Sequence, residues 1–371
     1  MTDVASRPQK TATDAAGQAP VLELRDVVKV FDIKHSNPFK PHDKLRAVDG
    51  ATLRIMPGET YALVGESGSG KSTLGRVAVR LDHPTEGTIV FDGKDISAAG
   101  SGDLRKLRPD VQVVFQDPYG SLNPRMRIGD IIGEPLKVFK GMRGKELDDE
   151  VVRLMESVGL NPERRNARPR ALSGGQRQRV GIARAIALKP KLILADEALS
   201  ALDVSVQAQI ANLLVKLQKE MGISYLFIAH GLPIVRQMAD RVGVMYLGRI
   251  VEQGPTDVVF NDPEHPYTRA LMQASPVPDP SQKGQRFILK GEIPSPMNPP
   301  SGCRFRTRCP LATDLCAAEA PPIHVNGDHS VECHYPGKRL ADHLREQEEL
   351  REASSQGQSD RDPLAGQEGL A

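Results

Sequence analysis

The 371-residue sequence has few cysteines, almost no excess charge and no long apolar run. Four cysteines, all between Cys303 and Cys333, are too few for a disulfide scaffold. With 49 Lys+Arg against 47 Asp+Glu, the net charge of +2 favours neither nucleic acid nor an anionic membrane as the main partner. No stretch approaches the roughly 18 apolar residues of a membrane-spanning helix, and residues 1–20 lack the apolar core of a signal peptide. We therefore expect a protein made in, and retained in, the cytosol.

The order of apolar segments predicts an α/β fold. The length predicts two or three structural units, since one domain takes about 150 residues. Short apolar runs, typical of strands, occur at 21–31, 47–55, 61–64, 111–115, 192–195 and 225–229. Helical patterns occur at 71–80 and 145–159 and from the glycines after residue 173 to about residue 188. We find no internal repeat. A parallel sheet interrupted by a mainly helical insertion at about 116–172 fits this order.

The domain boundaries follow from changes in composition. Proline becomes frequent after Gly254, so we predict that a main domain at 21–255 is followed by a separate C-terminal region at 256–340. The N-terminus 1–20 and the tail 341–371 are polar and without apolar periodicity, which predicts disorder.

A glycine-rich segment follows the run 61–64 and opens a helix, which is the context of a phosphate-binding P-loop. Its residues are Gly65, Glu66, Ser67, Gly68, Ser69, Gly70, Lys71, Ser72 and Thr73. Small residues let backbone N–H groups and the helix N-terminus face a phosphate chain. Lys71 adds a positive charge for the β- and γ-phosphates, and the Ser72 hydroxyl is a ligand for Mg²⁺. The segment predicts a nucleotide site.

Two carboxylates, Asp196 and Glu197, end the apolar run 192–195. The carboxyl ends of parallel strands face the ligand crevice, so both residues are expected beside the P-loop. We assign Asp196 to Mg²⁺ and Glu197 to the attacking water, whose proton it accepts.

A second anion-binding helix start is predicted at Ser173, Gly174, Gly175 and Gln176, within the segment LSGGQRQR. With this segment the chain resembles the ATP-binding cassette (ABC) ATPases, whose signature is LSGGQ, over about residues 21–336. The resemblance implies an ABC nucleotide-binding domain of the P-loop NTPase (RecA-like) fold with a helical subdomain. It also implies head-to-tail pairs, in which ATP lies between the P-loop of one subunit and the signature serine of the other.

The resemblance assigns roles to four further residues. Gln116 matches the glutamine of the loop that senses Mg²⁺, and Asp203 belongs to the D-loop. His230 matches the histidine that contacts the γ-phosphate, and Phe31 the aromatic residue that stacks on adenine, although such a residue more often serves packing. Catalysis is thus assigned to Glu197, His230 and Gln116.

Two positions depart from the family pattern. Ala198 stands where proline is common, and Gly231 where aspartate is common. We expect a looser turn and a freer backbone at these positions, with slower or less tightly coupled hydrolysis as the consequence.

The segments FQDPYGSLNPRM at 115–126 and HPYTRAL at 265–271 resemble the dipeptide/oligopeptide/nickel importers, and specifically their second ATPase subunit. This implies a second ATPase, by preference a paralogue, with two permease subunits and an extracytoplasmic substrate-binding protein, and a place on the cytoplasmic face of the membrane. Nickel complexes and other small solutes remain alternative substrates. A soluble ABC ATPase of repair or translation and a nonhydrolytic scaffold remain alternative functions.

The four cysteines, Cys303, Cys309, Cys316 and Cys333, fit neither the paired zinc pattern nor the ferredoxin runs. Neighbouring Arg304, Arg306 and Arg308 are expected to lower the thiol pKa values. Some importer ATPases of this branch hold a 4Fe-4S cluster on a similar tail, which makes the cysteines its candidate ligands. Zinc, or thiols without metal, are the alternatives.

Overall fold

The computed structural model describes residues 18–33, 43–117, 120–229, 231–274 and 291–339, together with Asp342 and Arg345. Three parts of the sequence prediction lie outside these ranges. They are most of the N-terminal segment 1–20, almost all of the tail 341–371, and His230. The described strands are β1 (Leu22–Ile33), β2 (Asp43–Ile55), β3 (Thr60–Val64), β4 (Glu86–Phe91), β5 (Lys94–Asp95), β6 (Val111–Val114), β7 (Leu192–Asp196), β8 (Ser224–Ile228), β9 (Arg241–Tyr246), β10 (Arg249–Pro255), β11 (Ile323–Asn326) and β12 (His329–Glu332). The described α-helices are α1 (Lys71–Ala78), α2 (Ser101–Leu107), α3 (Ile128–Lys140), α4 (Gly144–Ser157), α5 (Gly174–Ile186), α6 (Val204–Met221), α7 (Leu232–Met238), α8 (Thr256–Asn261), α9 (Pro266–Ala274) and α10 (Asp314–Ala318).

The strands form two sheets, which confirms the predicted α/β fold. A four-stranded antiparallel sheet has the order β2-β1-β4-β5. An eight-stranded sheet has the order β11-β12-β10-β9-β3-β8-β7-β6, and its neighbours from β9 to β6 are parallel. Strand β3, which leads into the P-loop, therefore lies inside the parallel part, between β8 and β9.

Alternate residues of the parallel strands enter two different cores. In β3, Tyr61 and Leu63 pack with the antiparallel sheet and α1, whereas Ala62 and Val64 pack with the helical side. In β8, Leu226 and Ile228 enter the first of these cores, and Tyr225 and Phe227 the second. Burial on both faces explains why these strands read as continuous apolar runs.

The predicted helical insertion contains α3, α4 and two short 3₁₀ helices, Pro162–Asn166 and Pro169–Ala171. Helix α4 was predicted at 145–159 and is observed at Gly144–Ser157. Apolar residues of α3 and α4 pack together and against α5, the helix that begins after Ser173. The insertion therefore carries the signature segment on a packed helical unit.

The C-terminal region is continuous with the main sheet, which differs from our expectation of a separate region. The hairpin β11–β12 pairs with β10 through Glu252–Val331 and Gln253–Ser330. Phe305 lies within the core of the helical side, and Cys303 and Cys309 pack against it. The prolines after Gly254 mark the end of the strand–helix alternation, but the eight-stranded sheet continues through β12 and β11.

A buried carboxylate, Glu252, anchors this hairpin. It accepts hydrogen bonds from the backbone N–H groups of Glu264 and His265 and lies 2.9 Å from Nε2 of His329. Burial alone would raise the pKa of Glu252, but these bonds lower it. The bond to Glu252 raises the pKa of His329, whereas burial lowers that of His265 to about 4. The pair Glu252–His329 thus joins β10 to β12 through side chains as well as backbone.

Candidate nucleotide-binding site

The P-loop leaves β3 with a backbone that only glycine accommodates. Gly65, Gly68 and Gly70 have φ values of 149°, 77° and 102°. A Cβ at Gly65 would lie 2.2 Å from the carbonyl oxygen of Met245, and one at Gly70 would lie 2.2 Å from that of Ala47. The loop therefore lies against β9 on one side and β2 on the other, and contact as well as φ requires glycine at Gly65 and Gly70. At Gly68, φ alone favours glycine.

Lys71, the first residue of α1, lies buried beneath the loop. Its Nζ donates to the carbonyl oxygens of Gly65 and Glu66, at 2.8 and 2.9 Å. Burial lowers the pKa of Lys71, and the nearby carboxylates of Glu197, Asp196 and Glu66 oppose that shift. The charges of both carboxylates therefore act on the ammonium group, and Arg76 of the same helix α1 lies 3.5 Å from Asp196.

Asp196 and Glu197 occupy different environments at the end of β7. Asp196 is buried, and its Oδ2 lies 3.5 Å from Nε of Arg76. Glu197 is half-buried, and its φ of 49° turns the chain sharply after the strand. Its backbone N–H donates to Ile228 of β8, and its carbonyl oxygen accepts from Ser200. The two adjacent carboxylates thus differ in burial and in backbone conformation.

The donor set at Asp196 fits a divalent cation. Among the described residues, its second oxygen, Oδ1, is buried without a hydrogen-bond partner. A buried carboxylate oxygen without a donor is costly unless a cation balances it. Ser72, in the first turn of α1, offers a hydroxyl at the loop, so Asp196 and Ser72 would hold Mg²⁺ brought in with a nucleotide.

The C-terminal region reaches the P-loop, which we did not predict. The Arg308 guanidinium donates two hydrogen bonds to the carboxylate of Glu66, at 2.6 and 3.0 Å. The backbone N–H of Glu66 donates to the Tyr267 hydroxyl at 2.8 Å. No local motif announces these contacts, because Arg308 lies 242 positions from Glu66.

The signature segment forms the start of α5. Ser173 is the N-cap and makes a capping box with Gln176: each side chain accepts from the other residue's backbone N–H. A Cβ at Gly175 would lie 2.6 Å from Val206 of α6, whereas Gly174 only approaches Leu202. Ser173 is exposed, so its hydroxyl is open to a second molecule.

The other predicted residues are less closely joined to this site. Gln116 is exposed and lies just beyond β6, whose partner β7 carries Asp196. Phe31 pairs in register with Leu45 of β2, two residues before Ala47, the residue whose carbonyl oxygen lies against Gly70. The Nζ of Lys29 lies 4.8 Å from the centroid of the Phe31 ring. Asp203 is the exposed N-cap residue of α6. His230 lies outside the described residues, so its role stays a prediction.

Neither departure from the family pattern, Ala198 or Gly231, is accompanied by an unusual backbone conformation. Ala198 is buried, and Gly231 has an ordinary extended backbone, φ −87°, as the N-cap of α7. Gly231 therefore makes no use of the conformational freedom of glycine. The expected effect on turnover stays a prediction.

All four cysteines line one pocket, together with His265, Phe305 and Tyr335. The expectation of lowered thiol pKa values is wrong: burial raises the pKa of Cys303, that of Cys309 to about 12 and that of Cys333 to about 11. The arginines are engaged elsewhere, Arg304 with Asp49, Arg306 with Ser301 and Arg308 with Glu66. Within the described ranges, no three His, Cys, Asp or Glu side chains are spaced to hold a single metal ion.

Comparison with known proteins decides the family. The model of the ABC transporter family matches residues 48–200, and that of the oligopeptide/dipeptide transporter C-terminal region matches 251–316. The oligopeptide transport ATP-binding protein OppF of Salmonella typhimurium is 50% identical over 84% of this chain and 95% of its own length. The chain belongs to the ATP-binding proteins of ABC transporters. The di/tripeptide transport ATP-binding protein DppF of Pseudomonas aeruginosa is 44% identical over 85% of this chain and 97% of its own.

A solved structure supports the same conclusion for the fold. A dimeric ATP-binding cassette in a post-hydrolysis state, bound to ADP and Pi, has a TM-score of 0.57 and 31% identity, over 63% of this chain and 98% of that one. The predicted ABC nucleotide-binding domain is thereby confirmed. The chain is an ABC ATPase, and its nucleotide chemistry involves ATP and Mg²⁺. ABC importer ATPases act with membrane permeases, and no helix in the described ranges is long and apolar enough to span a membrane.

Proposed function

We propose that this ABC ATPase hydrolyses ATP to power the import of dipeptides or oligopeptides through separate membrane subunits. The main supporting observation is a P-loop with Lys71 buried beneath it and Asp196 beside α1, in a chain whose C-terminal region matches that of oligopeptide/dipeptide transporters. OppF and DppF, named for peptide transport, support the substrate class.

In this proposal the P-loop backbone and Lys71 hold the triphosphate, and Phe31 stacks on the adenine. Asp196 and Ser72 would hold Mg²⁺, which would supply positive charge against the phosphates, while Gln116 lies at the same edge. Glu197 accepts a proton from the attacking water, and His230 contacts the γ-phosphate. The exposed Ser173 and Asp203 belong to the surface that closes over the nucleotide of a partner ATPase. Closure supplies charge stabilisation from both subunits at once.

The proposed assembly contains a second ABC ATPase, two permease subunits and an extracytoplasmic substrate-binding protein, with this chain on the cytoplasmic face of the membrane. We propose a paralogue as the second ATPase and assign no nucleic-acid partner. The helical unit of α3 and α4 would receive the cytoplasmic helices of the permease, because it carries the signature segment that must move on closure.

The experiment that tests this proposal is uptake of labelled peptides by vesicles containing the reconstituted complex, with ATP inside the compartment that this chain faces. We expect ATP-dependent uptake of di- or oligopeptides and ATP turnover that rises when the loaded binding protein is added. The same vesicles with a Ni²⁺ complex in place of peptide provide the comparison. Nickel uptake without peptide uptake would contradict the substrate class and leave the ATPase assignment intact.

We further propose that the four cysteines hold a 4Fe-4S cluster. Their convergence on one pocket supports a shared ligand, and the absence, among described residues, of a group spaced for one metal ion disfavours zinc. A cluster of eight atoms is held by thiolates that lie farther apart than the ligands of a single ion. Burial raises the pKa values of Cys303, Cys309 and Cys333 and so favours their protonated thiols, whose protons cluster binding would displace.

Iron and acid-labile sulfide analysis after anaerobic purification of the full chain tests this assignment. We expect about four iron and four sulfide per chain, as the cluster type requires, and loss of both in the Cys309→Ser variant. Zinc instead of iron, or four titratable thiols with no metal, would contradict it. Ser354→Cys, a substitution in the polar tail, controls for changes in total thiol content.

A further inference from the structure

Glu66, the second residue of the P-loop, is held at three points by the protein itself. Its carbonyl oxygen accepts from Lys71, its backbone N–H donates to Tyr267, and its carboxylate accepts two hydrogen bonds from Arg308. Two of these three partners belong to residues that follow β10. The conformation of the loop therefore depends on the C-terminal region as well as on the ABC core.

The pair formed by Arg308 and Glu66 is well shielded. The Arg308 side chain is 6% exposed and that of Glu66 is 26% exposed. A bidentate arginine–carboxylate pair fixes orientation as well as distance, and shielding from solvent strengthens it relative to a surface pair. The pair can thus hold the peptide between Gly65 and Glu66 in one orientation.

An aromatic cluster fixes the segment that carries Arg308. Phe305, three residues earlier, packs edge-on against Tyr246 at 5.2 Å between ring centroids and lies 5.4 Å from Tyr267. Tyr246 and Tyr267 are 4.7 Å apart. Tyr246 follows Met245, whose carbonyl oxygen presses on Gly65. The cluster therefore ties Arg308, Tyr267 and the entry of the P-loop into one packed unit.

We propose that Arg308 is a positioning residue for the ATP site: from the C-terminal region it holds Glu66, and with it the first turn of the P-loop, in the arrangement that receives the triphosphate. The proposal rests on the proposed function in requiring that the chain binds ATP. A loop ordered before binding loses less entropy on binding, so its affinity for ATP is higher. The effect falls on ATP affinity, because Arg308 acts through Glu66 and the water is prepared by Glu197.

The test is calorimetric titration of ATP with Mg²⁺ into the full chain, with ATP turnover measured on the reconstituted complex. We expect Arg308→Ala to weaken ATP binding and raise KM about tenfold, the scale of one charge-assisted pair, with kcat changed less than about twofold. Glu66→Gln, which keeps the side-chain size, should weaken binding about threefold, since its amide accepts a weaker hydrogen bond. It serves as the main variant should Arg308→Ala fold poorly.

The double variant separates a specific pair from general damage. Arg308→Ala should weaken binding much less in the Glu66→Gln background than in the wild type, because the partner is already impaired. Arg25→Ala, which removes the exposed pair of Arg25 with Glu23 on β1, should leave ATP binding unchanged. Wild-type affinity in Arg308→Ala, a fall confined to kcat, or additive effects in the double variant would overturn the inference. A wild-type chain that binds no ATP would overturn the proposed function, and this inference with it.

Discussion

Replacing Glu197 by glutamine is expected to slow ATP turnover by the reconstituted complex at least about 100-fold, the lower end of the contribution of a positioned general base. The amide has nearly the same shape as the carboxylate but does not accept a proton from water at neutral pH. ATP binding should persist, because Lys71 and the P-loop backbone are unchanged. The variant should therefore accumulate in the ATP-bound state, measured as nucleotide retained by the complex after rapid gel filtration.

A matched control for this substitution lies in α6. Glu220→Gln changes an exposed glutamate whose partner, Lys216, lies one helical turn away, and it should leave turnover at the wild-type rate. Equal background rates in wild type and Glu197→Gln would contradict the catalytic assignment and favour a nonhydrolytic scaffold. Equal but fast rates would show that another group prepares the water.

Replacing Gly65 by alanine is expected to destabilise the protein by about 3 kcal/mol, the combined scale of overpacking and backbone strain. The added methyl group would lie 2.2 Å from the Met245 carbonyl oxygen, at a φ of 149° that alanine rarely adopts. The nearest atom belongs to the main chain of β9 and cannot rotate away as a side chain could, so the loop must move away from β9. ATP affinity should fall together with stability. The measurement is the urea midpoint of the full chain, with ATP titration alongside.

Gly93→Ala provides the control for the cost of positive φ alone. Gly93 has a φ of 74° in the turn between β4 and β5, and a Cβ there would meet nothing within 4 Å. We expect a loss of about 1 kcal/mol, the cost of a left-handed conformation for alanine, with unchanged ATP affinity. Equal losses at Gly65 and Gly93 would show that the approach of Met245 contributes nothing to the folded loop.

The sequence predicted the chemistry of this molecule better than its C-terminal architecture. The P-loop and the carboxylates after β7 are short local patterns, and strand polarity alone brings them together, so both were predictable. The pair of Arg308 with Glu66 depends on long-range packing, which no local pattern encodes. The arginines next to the thiols in sequence bind distant partners in the fold, so the predicted effect on the thiol pKa values had the wrong direction.

Helix α3 and the hairpin β11–β12 show two different reasons for a missed element. Pro135 and Gly133 lie inside α3, and both residues usually argue against a helix. In the fold, a Cβ at Gly133 would lie 3.1 to 3.2 Å from Val151 and Leu147, so the glycine permits close packing on α4. The hairpin did have a local signal, since Gly327-Asp328, the two residues between its strands, is a typical tight-turn sequence.

The ladder between β10 and β12 links the position of the C-terminal region to that of the main sheet. Main-chain hydrogen bonds and the buried Glu252 join it to the same sheet that carries the P-loop, and a hinge would have to break both. When the two ATPase subunits of the proposed assembly approach and separate, this region would therefore move with the sheet that carries the P-loop of its own subunit. In that assembly, a neighbouring subunit in contact with this region would be displaced whenever the two ATPases close.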